Sequence, residues 1–345
     1  MRSHVIFGAG LIGSFIGGIL TSLHKNTQLV CRPSIKQKLN NGLTLTDYLG
    51  NTIQIKELDF LTLENITQNG SEDFCDFLWI TVKCTGIDQV SKEIKPLVGP
   101  NTIILCCQNG LGSDRVLQQY YPTNTILRVM IPFNVTEIKP GHLHRGSEGT
   151  LCIETPKQRL ELVTSLVTLL NTSIMPTSQT TEMQALLWAK LQLNLGNSIN
   201  ALADIPVKAM LEQRNYRLII AVLMKELLQV TKALQIKLPK LTALPAQYIP
   251  VVLSLPNSLF NLVGNKMLTI DPTVRTSMWW DLSQGKKTEI DYLNGAILEA
   301  ALQVNIECPA NKKIISLIKQ MEQTNSNARV NIGSGTLLKE IQNAV

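Results

Sequence analysis

The sequence has 345 residues, 44% of them hydrophobic and 17% charged, which is typical of a globular protein large enough for two domains. The net charge of +6 is modest and only 5% of the residues are aromatic, so the basic and aromatic pattern of a nucleic-acid-binding protein is absent. The small positive excess favours small anionic ligands as partners.

The first 20 residues, MRSHVIFGAGLIGSFIGGIL, place an arginine before an apolar run, as a signal peptide does. Glycines interrupt the run, and no stretch reaches the roughly 18 apolar residues of a membrane span. The seven cysteines form no CxxC pair and several lie in apolar runs, which indicates reduced thiols. We therefore expect a cytoplasmic protein with no membrane partner.

The sequence HVIF at residues 4–7 predicts a short buried strand, and an apolar helix follows to about Leu23. The turn between them has the pattern G-x-G-x-x-G. Its first glycine permits a tight turn, its second lets the backbone approach a pyrophosphate, and its third allows close helix packing. The alternative is a glycine-rich turn that only packs. We favour a dinucleotide-binding turn made of Gly8, Ala9, Gly10, Leu11, Ile12 and Gly13.

The sequence TQLVCR at residues 27–32 predicts the second strand, which ends in Arg32. An NAD-binding domain usually has an acidic residue about 20 residues after the glycine turn, where it bonds the ribose 2′-hydroxyl. No acid lies near Arg32, and an arginine can pair with a 2′-phosphate. The pattern favours NADP over NAD, although a solvated arginine at a strand end is a common alternative.

Further apolar strands are predicted at residues 76–83, 102–109 and 125–130, with helices between them. Continuous apolar strands that alternate with helices predict a mostly parallel sheet, covered on both faces. Ligands of such sheets bind at the carboxyl ends of the strands, where Lys83 and Asn109 lie. Either residue alone could be a surface or turn residue, but their shared location favours a role in binding.

Residues 141–155 are polar and alternating, which predicts an antiparallel addition at the edge of the sheet. His142 and His144 fall on one face of it, and a surface strand is favoured over a metal site. A linker is predicted within residues 156–180. We expect an α/β protein with a Rossmann-type dinucleotide-binding domain followed by an all-α domain, over residues 1–178 and 179–345.

Helical patterns dominate from about residue 181, and the last 20 residues are expected to be loosely ordered. Residues 238–272 are rich in proline and leucine, which predicts short helices and loops. The longer helices are predicted at residues 182–203, 207–236 with a break, 288–305 and 310–323.

The helix at residues 182–203 carries a polar stripe. From Ala185 to Ala203 its only charge is Lys190, and a step of about 100° per residue places Asn194 and Asn197 on the same face. Ser198 lies beside them. A lysine that reaches solvent and amides that bond a neighbouring helix would explain the stripe. The dinucleotide-binding domain before it favours a stripe that faces a cleft between the domains.

The second informative segment is TSMWWDLSQGKKTEIDYLNG at residues 276–295. A helical turn is predicted to begin near Ser277. Thr288 and Asp291 have the spacing of an N-terminal helix cap with its acidic partner. Glu289 is not needed for that cap and could point elsewhere.

These residues together resemble the ketopantoate reductase (2-dehydropantoate 2-reductase) family, over nearly the whole chain. The likeness lies in GAGLIG, TVK, QNGLG, WAKLQLN and TSMWWDLSQGKKTEIDYLNG, in that order. It implies NADPH-dependent reduction of ketopantoate to (R)-pantoate in pantothenate and coenzyme A synthesis, by a monomer or homodimer.

The resemblance also implies roles for individual residues. Lys190 would be the general acid, Lys83 would line the cofactor site, and Glu289 would contact the cofactor or orient the acid. The small 2-keto acid substrate would be held by Asn109, Asn194, Ser277 and either Asn197 or Ser198. Asn109 would also line the cofactor site.

Some features depart from the family pattern. The family often has a second asparagine eight residues after the lysine, where this chain has Ser198, and Val207 and Lys208 stand where an asparagine or glycine often follows the proline. The segment 238–272 also looks long. These departures leave the keto acid open. The alternatives are a related NADP-dependent dehydrogenase for another 2-keto or 3-hydroxy acid, and a non-catalytic NADP(H) sensor.

Overall fold

The computed structural model describes residues 3–62, 74–264, 268, 271–324 and 331–345. The chain forms two compact units, the N-terminal unit (Met1–Met183) and the C-terminal unit (Gln184–Val345). The domain boundary that the sequence predicts after residue 178 stays a prediction. Every helix among the described residues is too short or too polar to cross a membrane.

The main sheet of the N-terminal unit is built around strands with no exposed residue. The first of these is β1 (His4–Phe7), which continuous apolar sequence predicts correctly. The other strands of this sheet are β2 (Thr27–Val30), β5 (Asp59–Leu61), β6 (Phe77–Ile80), β7 (Ile103–Cys106), β8 (Thr125–Met130), β11 (Leu151–Glu154) and β12 (Thr177–Thr180).

The order of the described strands across this sheet is β12-β11-β8-β7-β6-β1-β2-β5. In this spatial order the six strands from β8 across to β5 are parallel. The chain runs outward from β1 to β2 and β5, and then reverses and continues on the other side of β1 with β6, β7 and β8. This is the Rossmann arrangement, in which ligands bind at the carboxyl ends of the strands beside the reversal. The predicted Rossmann-type fold of the first part of the chain is therefore confirmed.

A second sheet, absent from the sequence-based prediction, lies in the same unit. It contains β3 (Leu43–Asp47), β4 (Thr52–Ile55), β9 (Val135–Lys139) and β10 (His142–Arg145), in the order β4-β3-β10-β9 among the described strands. The antiparallel addition predicted over residues 141–155 is confirmed for β11, which pairs antiparallel with β8 in the main sheet, and is wrong for β10, which joins this second sheet. Gly149, with a φ of +132°, lies in the segment that connects β10 to β11.

Helices cover the main sheet. Residues 156–180, predicted to contain a linker, are instead part of the N-terminal unit. They contain the helix Leu160–Leu170 and strand β12, which pairs in parallel with β11. The helix Leu11–Ser22 also packs against β3 of the second sheet, and this close packing depends on Gly18, where an added Cβ would lie 2.7 Å from Leu43 Cδ2. The helices of this unit are α1 (Leu11–Ser22), α2 (Pro33–Leu39), α3 (Ile87–Glu93), α4 (Ser113–Tyr120) and α5 (Leu160–Leu170).

The described residues of the C-terminal unit form helices and contain no strand, as the sequence predicts. The first five helices are α6 (Met183–Asn194), α7 (Gly196–Ala203), α8 (Val207–Glu212), α9 (Arg214–Ala233) and α10 (Ile249–Ser254). They are followed by α11 (Asn257–Val263), α12 (Ser277–Ser283), α13 (Asn294–Gln303), α14 (Pro309–Gln323) and α15 (Ser334–Gln342).

The break within 207–236 is confirmed at Gln213, and the helix predicted over 182–203 is interrupted at Leu195. Loose order of the last 20 residues is wrong for residues 331–345, because α15 buries Leu337 and Ile341. Residues 326–330 of that prediction, and 265–267 and 269–270 of the predicted loop segment, lie outside the described residues.

Candidate active site

The glycine-rich turn joins β1 to α1, and its three motif glycines have different surroundings. Gly8 adopts a φ of +102°, and a Cβ there would lie 2.6 Å from Val82 Cγ1. A Cβ on Gly13 would lie 2.4 Å from the Gly8 carbonyl oxygen. A Cβ on Gly10 would have only the Gly8 carbonyl nearby, at 4.0 Å. Packing therefore requires Gly8 and Gly13, while the space above Gly10 is open to a ligand.

The backbone amides of this turn fall into two groups. Gly8 and Ala9 both donate to the Val30 carbonyl at 3.1 Å, so those amides are already used within the protein. Leu11 and Ile12 begin α1, where no described side chain caps the helix and no acidic residue lies in the first turn. Amides of a first helical turn lack intrahelical acceptors and lie at the positive end of the helix dipole. This end of α1 therefore fits a phosphate group.

The other predicted residues of this unit lie at the same edge of the sheet. Arg32 follows β2 and precedes α2, and its exposed side chain makes no ion pair with a described residue. Lys83 and Asn109 follow β6 and β7 and are exposed as well. Because β2, β1, β6 and β7 are adjacent and parallel, the structure brings these three residues to the edge that carries the glycine-rich turn.

A hydrogen-bond network that the sequence analysis missed ties these loops together. The Thr81 hydroxyl donates to the Gly8 carbonyl at 2.8 Å. The Gln108 amide donates to the carbonyls of Ile80 and Val82, at 2.8 and 3.0 Å. The Cys84 thiol donates to the Asn109 carbonyl at 2.7 Å. Three successive strand ends are thereby fixed to one another, which the sequence motifs alone do not reveal.

Replacing Thr81 by Val is expected to weaken binding of the predicted dinucleotide about fivefold, since one net hydrogen bond contributes about 1 kcal/mol to the loop conformation. Thr81→Ser keeps the hydroxyl and should bind as the wild type does. The dissociation constants can be measured by fluorescence titration with a reduced nicotinamide dinucleotide, with thermal unfolding as a control for stability. Equal affinity of the Val and Ser variants would contradict this role of the hydroxyl.

In the C-terminal unit, Lys190 is the only charged residue of α6, and it is half-buried. Desolvation lowers the pKa of its amine from the ordinary 10.5 to about 8, and the negative charge of Glu289 opposes this shift. At neutral pH the amine is thus still mainly protonated, but it releases its proton more readily than a solvated lysine does.

Two of the amides in the predicted stripe are available to a ligand. Asn194 ends α6 and Asn197 lies in the first turn of α7, and both are half-buried. Neither side-chain amide makes a hydrogen bond to another described residue. Ser198 differs, because it is completely buried and its hydroxyl donates to the Leu195 carbonyl at 3.1 Å.

Asn200, which the sequence analysis overlooked, connects the stripe to α12. It is completely buried, and its Oδ1 accepts from the Thr276 amide at 3.0 Å, while its Nδ2 donates to the Ile205 carbonyl at 2.6 Å. The Thr276 hydroxyl also lies 3.3 Å from the Asn197 carbonyl. The next residue, Ser277, is exposed and its hydroxyl makes no hydrogen bond to a described residue. Asn200 thus holds Thr276, the residue before Ser277, against the start of α7.

The predicted helix cap at Thr288 is wrong. Helix α13 begins only at Asn294, and the amide and hydroxyl of Thr288 both donate to Glu322 Oε1, at 2.8 and 2.7 Å. The expected acidic partner, Asp291, pairs instead with Lys319 at 2.7 Å. These long-range bonds hold the segment in a turn that buries Glu289, and its charge acts on Lys190.

The histidine pair is part of the second sheet. His142 Nε2 and His144 Nδ1 each lie 2.9 Å from the Thr46 hydroxyl. No group of three or more His, Cys, Asp or Glu side chains in the described ranges could hold a metal ion.

The cysteines are all free thiols, and burial raises the pKa of Cys75 and Cys308 to about 12.

Both parts of the chain match models of one protein family. Residues 4–158 match the model described as ketopantoate reductase PanE/ApbA, and residues 182–322 match the model of its C-terminal part. A 2-dehydropantoate 2-reductase of Pyrococcus horikoshii is 28% identical over 323 residues, which cover 92% of this chain and 96% of that protein.

Solved structures show the same fold. A PanE/ApbA family ketopantoate reductase from Ralstonia eutropha JMP134 aligns with a TM-score of 0.74 and 22% identity, covering 93% of this chain and 98% of that one. A D-mandelate dehydrogenase, determined with NADH and anilino(oxo)acetate, aligns with a TM-score of 0.73 and 19% identity, with the same coverage.

Proposed function

The chain belongs to the ketopantoate reductase family, and on that basis we propose that it reduces 2-dehydropantoate (ketopantoate) to (R)-pantoate with NADPH. The observation that carries the proposal is the partly buried Lys190, whose amine has a pKa near 8 and lies within the influence of Glu289. An amine so tuned suits the protonation of an alkoxide at neutral pH.

In the proposed reaction a bound nicotinamide cofactor supplies a hydride to the ketone carbon. The Lys190 ammonium donates a hydrogen bond to the ketone oxygen and then its proton, so it stabilises the negative charge that develops there. Glu289 favours the protonated amine and orients it. We assign Glu289 to this role rather than to the cofactor, because its charge acts on Lys190.

The substrate is held by polar groups that the protein leaves available. Asn194, Asn197 and Ser277 lie in the unit that carries Lys190, and their side chains make no hydrogen bond to described residues. Between the two residues that the sequence leaves open, we choose Asn197, because the Ser198 hydroxyl is already bonded to the Leu195 carbonyl. Neutral amides can bond a hydroxyl or carboxylate without adding charge.

The N-terminal unit would bind NADP(H). The first-turn amides of α1 suit the pyrophosphate, and the open space above Gly10 allows its approach. Arg32, with no ion pair to a described residue, would meet the 2′-phosphate, while Lys83 and Asn109 at neighbouring strand ends would contact the rest of the cofactor. Asn109 could also contact the substrate.

Replacing Arg32 by Ala is expected to lower the preference for NADPH over NADH about tenfold or more, because a charged hydrogen bond contributes about 1.5–3 kcal/mol. The measured quantity is the ratio of kcat/KM values for the two cofactors. Lys95→Ala removes one exposed positive charge from the same unit and should leave the ratio unchanged. Equal ratios in the wild type and the Arg32 variant would reject the 2′-phosphate assignment.

The proposed activity is tested by NADPH oxidation across ketopantoate and a panel of other 2-keto and 3-oxo acids. The highest kcat/KM is expected with ketopantoate. A clearly better substrate among the other acids would place the chain with a related dehydrogenase activity. Tight NADPH binding without oxidation by any of the acids would contradict the enzyme assignment and favour a dinucleotide sensor.

A further inference from the structure

Helix α12 carries two adjacent tryptophans for which the proposed mechanism gives no role. Trp279 is half-buried, whereas Trp280 is 52% exposed. An indole is a large apolar surface, and removing it from water contributes about 25 cal/mol per Å². An exposed Trp280 therefore leaves apolar surface that a ligand could cover.

The Trp280 indole is supported on one side. Its ring lies edge-on to Trp279, with 4.8 Å between the ring centroids. Trp279 is itself fixed, because the Arg275 guanidinium lies 4.1 Å from its ring centroid and its Nε1 donates to Asp204 Oδ1 at 2.6 Å. Arg275 also pairs with Asp204 at 2.9 Å. This support holds the exposed indole in place at little entropic cost to a ligand that contacts it.

Trp280 also lies about one helical turn from Ser277, one of the groups proposed to hold the substrate. Its amide donates to the Thr276 carbonyl at 3.2 Å, so it follows Thr276 by one helical turn. Residues three apart on a helix are neighbours on its surface, which places the indole next to Ser277. Thr276 is tied in turn to Asn197 and Asn200.

We propose that Trp280 determines substrate specificity, by forming an apolar wall that selects 2-keto acids with a branched carbon next to the ketone. The inference rests on the proposed function and extends it to a substrate class. The carbon next to the ketone of ketopantoate bears two methyl groups, and these would cover the indole, while Asn197 and Ser277 bind the polar end. Pyruvate has only a methyl group at this position and gains little from the wall.

The test compares kcat/KM for ketopantoate, 2-oxoisovalerate and pyruvate, all with NADPH, in the wild type, Trp280→Ala and Trp280→Phe. Loss of the wall should lower the values for the two branched acids about tenfold, mainly through KM, and leave pyruvate unchanged. Phe should restore most of the loss. Leu302→Ala removes another exposed apolar side chain of this unit and serves as the control. It should leave the ratio of kcat/KM for the branched acids to kcat/KM for pyruvate unchanged.

Selectivity that is unchanged in Trp280→Ala, or a loss that is equal for pyruvate and the branched acids, would overturn the proposal. If selectivity is unchanged but the sedimentation coefficient falls, Trp280 is instead a contact between copies of the chain. A wild type that binds NADPH but reduces none of the acids contradicts the proposed function separately. In that case, calorimetric dissociation constants of the same acids, measured in the presence of NADPH, replace kcat/KM. The ratio between the branched acids and pyruvate, and its change in Trp280→Ala, then decides the role of Trp280.

Discussion

Replacement of Lys190 by Met is expected to lower kcat about 10³-fold, while the dissociation constant of NADPH stays unchanged. Methionine keeps an unbranched side chain of similar length but has no proton to donate and no charge for the developing alkoxide. Steady-state oxidation of NADPH with ketopantoate and fluorescence titration measure the two quantities. Lys225→Met, which removes an exposed lysine of the same unit, serves as the control. A Lys190→Met enzyme with near-normal turnover would rule out the general-acid role.

The pH dependence tests the same residue without removing it. The acid must be protonated, so kcat/KM should be constant below the pKa of about 8 and fall as the pH rises through it. Because Glu289 raises this pKa, Glu289→Gln should move the descending limb to lower pH. A limb that stays in place or moves upward in Glu289→Gln would show that another group controls the profile.

Loss of activity in Lys190→Met should not come from unfolding. The pKa of the amine in the folded state, about 8, lies below the ordinary 10.5, so the folded protein binds fewer protons than the unfolded chain between these values. Stability therefore rises with pH across that window, and the full desolvation cost of the ammonium is present below pH 8. Replacing Lys190 by Met removes that cost, so the melting temperature of the Lys190→Met variant at pH 7 should be no lower than that of the wild type.

The sequence predicts the strands of the main sheet well where they are continuously apolar, as in β1, β6 and β7. It also contains a signal for β3 and β4 that our prediction leaves out, since Leu43 and Leu45 alternate with threonines and a turn at Gly50 follows. The partner of β3 could not be predicted, because β10 is almost 100 residues away and pairs with it in parallel.

For the candidate site, the sequence suggests which residues to consider but not their surroundings. The helical period places Lys190, Asn194 and Asn197 together, but it gives no reason to separate Asn197 from Ser198. That separation depends on the break at Leu195, whose carbonyl accepts the Ser198 hydroxyl. The turn around Glu289 likewise depends on Glu322, which lies far along the chain.

Arg217 is expected to control the stability of the C-terminal unit, and its replacement by Met should lower the free energy of unfolding by about 3–5 kcal/mol. Its guanidinium is completely buried. The Nη1 atom donates to the Leu211 carbonyl at 2.8 Å, at the end of α8, and Nε donates to the Leu253 carbonyl at 3.1 Å, near the end of α10. It also lies 4.0 Å from the ring centroid of Phe260.

The carbonyls that end α8 and α10 have no later turn of helix to bond, and they carry the negative ends of two helix dipoles. A planar guanidinium can satisfy acceptors in several directions at once, whereas the ammonium of Arg217→Lys has three donors from a single atom and should recover only part of the loss. Urea unfolding measures the difference. Arg214→Met, one turn earlier, removes an exposed side chain with a single 3.3 Å bond to the Ser254 carbonyl and should cost about 0.5 kcal/mol or less. Equal midpoints for Arg217→Met and Arg214→Met would show that the buried carbonyls find other donors, and that the helix ends do not depend on Arg217.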